Sequence, residues 1–239
     1  MNEQVHTADL FGDLPEVTPF LTETWHPAPA VIVLPGGGYT VHAAHEGAPI
    51  AQFYQQSGFH AFVLKYRLLP HTYPAPVEDV QKLICHLRRN AKALRVDPDR
   101  IFVIGFSAGG HLAALTAVAE DFVGQGNCKP NGVLLGYPVT AWQQKCVGKI
   151  SGEFDPEKLD IPRLVTAQTP PMFIWHTAED ATVDVRQSLA LGAALREQKI
   201  PFEMHIFPHG SHGLGLAKLQ PEVAVWAKMS VDWMIRSFR

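Results

Sequence analysis

Six short apolar runs, separated by longer segments of helical period, fill the chain from Ala30 to its end. They are Ala30–Pro35 (AVIVLP), His60–Leu68 (HAFVLKYRL), Ile101–Phe106 (IFVIGF), Gly132–Pro138 (GVLLGYP), Met172–Thr177 (MFIWHT) and Phe202–Phe207 (FEMHIF). Each reads as a strand. Most are near-continuous Val, Ile, Leu and Phe, the composition of strands covered on both faces. Helices are expected between them, at about 46–57, 76–95, 108–120, 183–199 and 221–238. The second of these opens with prolines and acids and closes on basic residues, matching the helix dipole. Its Val77, Val80, Ile84, Leu87 and Leu94 fall mostly on one stripe. Asp97–Arg100 (DPDR) then supplies a turn into the next strand. Strand and helix alternating in this way predict an α/β fold: a mostly parallel central sheet with helices on both faces and right-handed crossovers.

One such domain accounts for all 239 residues, and the 46% apolar content is ample for its core. Two stretches fall outside the alternation. Residues 1–29 form an N-terminal extension, and Thr140–Pro171 is expected to overhang the carboxyl edge of the sheet as a small lid or pocket wall. No larger cap is expected, and Trp142 and Phe154 in the insertion are read as a small core of its own. The net charge of −3 provides no broad basic field, which argues against nucleic acid as a partner. Arg88, Arg89, Lys92 and Arg95 read as a solvated helix face. No run reaches the roughly 18 apolar residues of a membrane span. Met1–Leu21 lacks the basic-then-apolar order of a signal peptide, so no membrane partner is expected. Cys85, Cys128 and Cys146 are odd in number and scattered. They read as three reduced thiols, and the expected location is cytoplasmic. Assembly as a homo-oligomer stays open.

The third run ends in Gly105-Phe106-Ser107-Ala108-Gly109, between a predicted strand and a predicted helix. Small neighbours at this spacing let the backbone turn sharply and expose the serine oxygen as a nucleophile. A serine needs a base, and the base needs an orienting acid. After Met172–Thr177 come Glu179, Asp180 and Asp184; after Phe202–Phe207 come His209 and His212. Asp180 lies just before a helix, where its side chain reaches toward the next loop. Asp184 falls in that helix's first turn, and Glu179 points the other way. His212, between Ser211 and Gly213, is the expected base, with His209 a loop histidine. Gly36, Gly37 and Gly38 follow the first run and, with the N–H of Ala108, form the expected oxyanion hole. Tyr39 and Phe106, beside these groups, are expected to contact substrate. Tyr66 and Arg67 end a strand at the same edge, where Arg67 paired with a carboxylate such as Glu46 would brace the oxyanion loop. The glycine run lacks the lysine and spacing of a phosphate loop. Neither His42, His45, Glu46 nor His205, His209, His212 has metal-ligand spacing, so no metal or other cofactor is expected.

The segments PGGGYTVHAAHEG, LKYRLLP, YPAPVEDVQ, DPDRIFVIGFSAGGHLAA, WHTAEDATV and SHGLGLA together resemble the α/β-hydrolase esterases of the acetylxylan-esterase-related, feruloyl-esterase-like group. These are relatives of the hormone-sensitive-lipase-like carboxylesterases. The resemblance runs from about Val31 onward and implies Ser107 as nucleophile, Asp180 as acid, His212 as base, and Gly37, Gly38 and Ala108 as oxyanion donors. The lipase-like relatives carry histidine where this chain has Pro35, and proline suits the acetylxylan-esterase-like branch. The implied activity is hydrolysis of short-acyl, acetyl-type esters of small molecules, with acetylated carbohydrates among the candidates. The rivals are an amide-directed hydrolase with the same triad and a non-catalytic binding scaffold.

Overall fold

The computed structural model describes residues 15–141 and 145–238. In chain order its strands are β1 (Val17–Phe20), β2 (Ala28–Leu34), β3 (His60–Leu64), β4 (Val96–Phe106), β5 (Gly132–Gly136), β6 (Met172–Thr177) and β7 (Phe202–Phe207). The α-helices are α1 (Ala48–Gln56), α2 (Ala75–Arg89), α3 (Ala91–Leu94), α4 (Ala108–Val118), α5 (Lys145–Ile150), α6 (Ile161–Leu164), α7 (Arg186–Glu197) and α8 (Pro221–Ser237). The strands form one sheet in the order β1-β3-β2-β4-β5-β6-β7, parallel except for β1.

Alternation along each strand divides the core between the two faces. Ile32 and Leu34 join Val80 and Ile84 of α2 and Leu112 of α4 on one face. Val31 and Val33 join Ile50 of α1 and Trp226 and Trp233 of α8 on the other. Burying such side chains stabilises the fold by roughly 1.5–3 kcal/mol each. From β2 the chain moves outward to β3; from β4 it moves outward the other way. The carboxyl ends of β2 and β4 therefore flank the point where strand order reverses, where a crevice opens in sheets of this type.

Several expectations need correction. β1 lies in what reads as an unstructured extension; it pairs antiparallel with β3 and carries Pro19 on an edge strand, where a missing N–H is tolerated. The long second helix breaks at Asn90, and Arg95 takes a left-handed conformation with φ of 53°. The turn at Asp97–Arg100 is a bulge inside β4, since the pairing jumps from Ala28↔Val96 to Ala30↔Ile101. Arg88 is no solvated surface group. Its guanidinium donates to the carbonyls of Asn127, Lys129 and Pro98 and to Asn131 Oδ1.

Cys85 and Cys128 are joined by a disulfide across a sequence separation of 43 residues, leaving Cys146 as the free thiol. Spacing along the chain hid this, because α2 and the loop after α4 meet only in the fold. The reading of three reduced thiols is overturned, and with it the argument it lent to a cytoplasmic location. Among the described residues no helix is long and apolar enough to cross a membrane.

The Thr140–Pro171 insertion holds α5, a 3₁₀ turn at Pro156–Leu159 and α6. Its Val147, Ile150, Leu159 and Ile161 pack into the main core rather than into one of their own. Phe154 is half exposed and stands edge-on to Tyr73; Trp142 lies outside the described residues.

Candidate active site

Ser107 sits between β4 and α4 with φ of 53° and ψ of −119°, a conformation L-residues rarely adopt. The flanking glycines make it sterically accessible. A Cβ on Gly105 would lie 2.1 Å from the carbonyl oxygen of Gly109, and one on Gly109 would lie 2.2 Å from that of Leu34. Any side chain at either position would push the turn out of shape. α4 starts immediately after Ser107, so its first-turn N–H groups have no intrahelical acceptor and point their partial positive charge back at the serine.

The Ser107 hydroxyl lies 2.9 Å from His212 Nε2, and His212 Nδ1 lies 2.7 Å from Asp180 Oδ2. A carboxylate only accepts, so Nδ1 carries the proton and Nε2 is left to accept from the serine. Asp180 Oδ1 accepts the N–H groups of Thr182 and Val183, both at 2.9 Å. Its Oδ2 lies 3.3 Å from Nε2 of the fully buried His176. That ring is itself fixed, with Nε2 donating to the Val183 carbonyl at 2.9 Å and Nδ1 bonded to the Ser188 hydroxyl at 2.7 Å. Burial by itself raises the Asp180 pKa. Hydrogen bonds from His176, His212, Val183 and Thr182 outweigh it and hold the carboxyl well below the usual carboxylate range.

The two alternatives lie elsewhere. Glu179 Oε1 pairs with His209 Nδ1 at 2.8 Å, with both side chains well exposed. Asp184 accepts the N–H of Arg186 and pairs with its guanidinium, just ahead of α7. A cleft of about 400 Å³ opens over Ser107 and His212, walled by Gly37, Gly38, Val139 and Cys146. Gly37 and Gly38 have φ of 126° and 62°. Among the described residues, no group of three or more His, Cys, Asp or Glu is placed to hold a metal ion.

The acetyl ester-xyloside bifunctional hydrolase from Caldicellulosiruptor lactoaceticus superposes with a TM-score of 0.86 at 38% identity, over 93% of this chain and 88% of that one. This chain belongs to the α/β-hydrolase esterases. The BD-FAE family matches residues 20–132 of this chain. The endo-1,4-beta-xylanase B of Butyrivibrio fibrisolvens is 32% identical over 87% of the chain, and the acetylxylan esterase of Xylanibacter ruminicola 29% identical over 78%. The chain spans only 36% and 41% of those two curated relatives.

Three sequence expectations about its site change. Tyr39 is buried, with its hydroxyl 2.8 Å from His111 Nδ1, so its side chain packs behind the cleft. Phe106, the last residue of β4, is fully buried, with its ring packed against Tyr137 and Trp226. Arg67 does not reach Glu46; it binds Asp79, Glu78 and the Ala75 carbonyl on α2. Glu46 instead accepts the N–H of Gly36 at 2.7 Å. His176 escaped the sequence reading altogether, and its only signal is a polar residue inside the apolar run MFIWHT.

Proposed function

We propose that the protein is a serine carboxylesterase that hydrolyses short-acyl esters of small molecules, acetylated carbohydrates included, through an acyl-enzyme. The observation that carries this reading is the continuous hydrogen-bonded run from Ser107 through His212 to Asp180. As Ser107 Oγ bonds to the ester carbonyl carbon, its proton passes to His212 Nε2 and the carbonyl electron pair becomes an oxyanion. The N–H groups of Gly37, Gly38 and Ala108 stabilise that charge, while Asp180 stabilises the imidazolium. Collapse breaks the bond to the alcohol, which leaves with the proton from His212. Water then attacks the acyl-enzyme by the reverse proton path and frees the acid and Ser107. The cleft of about 400 Å³ suits a small acyl group. The names of two relatives, an acetylxylan esterase and an acetyl ester-xyloside bifunctional hydrolase, support the acetyl-ester reading.

The test compares wild type with Ser107→Ala on p-nitrophenyl acetate, butyrate and octanoate, on an acetylated xyloside, and on p-nitroacetanilide. The proposal expects kcat/KM to fall from acetate to octanoate, with the sugar ester turned over and the anilide poor. Ser107→Ala should lose at least about 10³-fold. Equal rates in both proteins would remove Ser107 from the mechanism, and an anilide rate matching the acetate would make the enzyme amide-directed.

A further inference from the structure

Glu46 takes no part in the bond changes just described, yet its carboxylate is buried where two separate parts of the site meet. Burying a carboxylate is costly unless hydrogen bonds replace its hydration, and here each oxygen is bound to a different wall. Oε2 accepts the N–H of Gly36 at 2.7 Å, at the start of the glycine run. Oε1 accepts the hydroxyl of Tyr137 at 2.6 Å. The Tyr137 oxygen in turn accepts the N–H of Gly215 at 2.9 Å, on the loop that carries His212. The Tyr137 ring stands edge-on to the His212 imidazole with centroids 5.0 Å apart. A second tie runs beside the first. His45 Nε2, 3.6 Å from Glu46 Oε1, donates to the carbonyl of Gly213 at 2.8 Å.

We propose that Glu46 is a positioning residue that locks the oxyanion glycines to the His212 loop, and that it must be a carboxylate to do so. The proposal rests on the serine-esterase reading. Both of its oxygens accept, one from each wall. An amide has one accepting and one donating end. With the NH₂ toward Gly36, two donors face each other. With it toward Tyr137, the hydroxyl must accept from both the amide and Gly215, and its own proton loses its acceptor. Either way one buried donor at the join, the Gly36 N–H or the Tyr137 hydroxyl, is left without its acceptor, and the join loosens. The oxyanion and the imidazolium exist together in the tetrahedral intermediate and the transition states that flank it, not in the bound ester, so a change in their separation acts on kcat and leaves ester binding nearly alone.

The experiment uses the full chain with p-nitrophenyl acetate as substrate, counting active sites by the acylation burst. Glu46→Gln is expected to lower kcat per active site by about 10- to 100-fold with KM within about threefold. Affinity for a trifluoromethyl ketone, which Ser107 converts to an anionic hemiketal, should fall in parallel with kcat/KM. Tyr137→Phe keeps the Glu46–Gly36 bond and cuts only the arm to Gly215, so it should show a smaller loss of the same kind. Adding it to Glu46→Gln should cost less than the two single losses multiplied. Unchanged turnover per titrated site, with only a lower melting temperature, would reduce Glu46 to a core group and overturn the proposal. Should Glu46→Gln fail to fold, Tyr137→Phe decides alone, and wild-type turnover in it overturns the proposal. A wild type that cleaves no ester would remove the esterase reading first, and this proposal with it; an active wild type with unaffected variants would remove this proposal only.

Discussion

Two acid–histidine pairs lie side by side at the ends of β6 and β7, Glu179–His209 and Asp180–His212. Their hydrogen bonds are nearly equal in length, at 2.8 and 2.7 Å. Their surroundings differ. The Glu179 and His209 side chains are 59% and 72% exposed, those of Asp180 and His212 0% and 19%. Water solvates the outer pair and screens it, so its attraction contributes little. Around the inner pair, protein donors replace water on the carboxylate, and the imidazole is left with one nitrogen aimed at Ser107. A bond length alone does not distinguish a solvated surface contact from a pair fixed beside a serine. The fixed environment does.

The largest effect that would break this comparison is Asp180→Asn. An amide can donate to Nδ1 and so invert the tautomer of His212, which should lower kcat on p-nitrophenyl acetate by about 10⁴-fold. A loss of only a few-fold would place the two pairs on an equal footing. His176→Asn sharpens the contrast by removing one of the donors that distinguish Asp180. Hydrogen bonds to a charged group are typically worth about 1.5–3 kcal/mol, so a loss of about 10- to 100-fold in kcat is expected. An unchanged kcat would show that the remaining donors suffice.

His111 provides a third case, a buried histidine bonded to the Tyr39 hydroxyl and the Leu159 carbonyl. Burial pushes its pKa down to about 4. Folding therefore favours the neutral ring. Its contribution to stability is fully present above the ordinary histidine pKa of about 6.5 and is lost as pH falls from there to about 4, because the unfolded chain takes up the proton first. The span corresponds to about 3 kcal/mol at most. Urea unfolding of wild type and His111→Gln between those limits should show a flatter pH dependence in the variant; parallel curves would contradict it. The smallest effect belongs to the outer pair. Glu179→Gln and His209→Ala should leave kcat/KM within about twofold, as surface substitutions usually do. A tenfold loss in either would bring that pair into the reaction.

Much of the fold was legible because it is local. β6 and β7 coincide with the apolar runs that announce them, Met172–Thr177 and Phe202–Phe207. β6 is buried throughout and reads as a near-continuous apolar run, while β7, a half-buried edge strand, shows itself by alternating Phe202 and Met204 with Glu203 and His205. β1 was not legible, since VTPF is only four residues long and contains a proline, too short to show either a run or an alternation. Ser107 announced itself through the glycines its turn requires. Asp180 was separable from Glu179 only by its place ahead of a helix, a weaker signal than the one at the serine.

The sequence by itself determined the alternating strands and helices, the elbow at Ser107, and the order in which a serine, an acid and a histidine arrive at one sheet edge. These follow from backbone sterics and hydrophobic period, which act over a few residues. Only the tertiary structure decided the Cys85–Cys128 bond, the turning of Tyr39 and Phe106 away from the cleft, the pairing of Arg67 with α2, and the convergence of Glu46, Tyr137 and Gly215. Each depends on two segments distant in sequence approaching within a few ångströms. That approach is set by how the whole sheet and its helices pack, which no local pattern encodes.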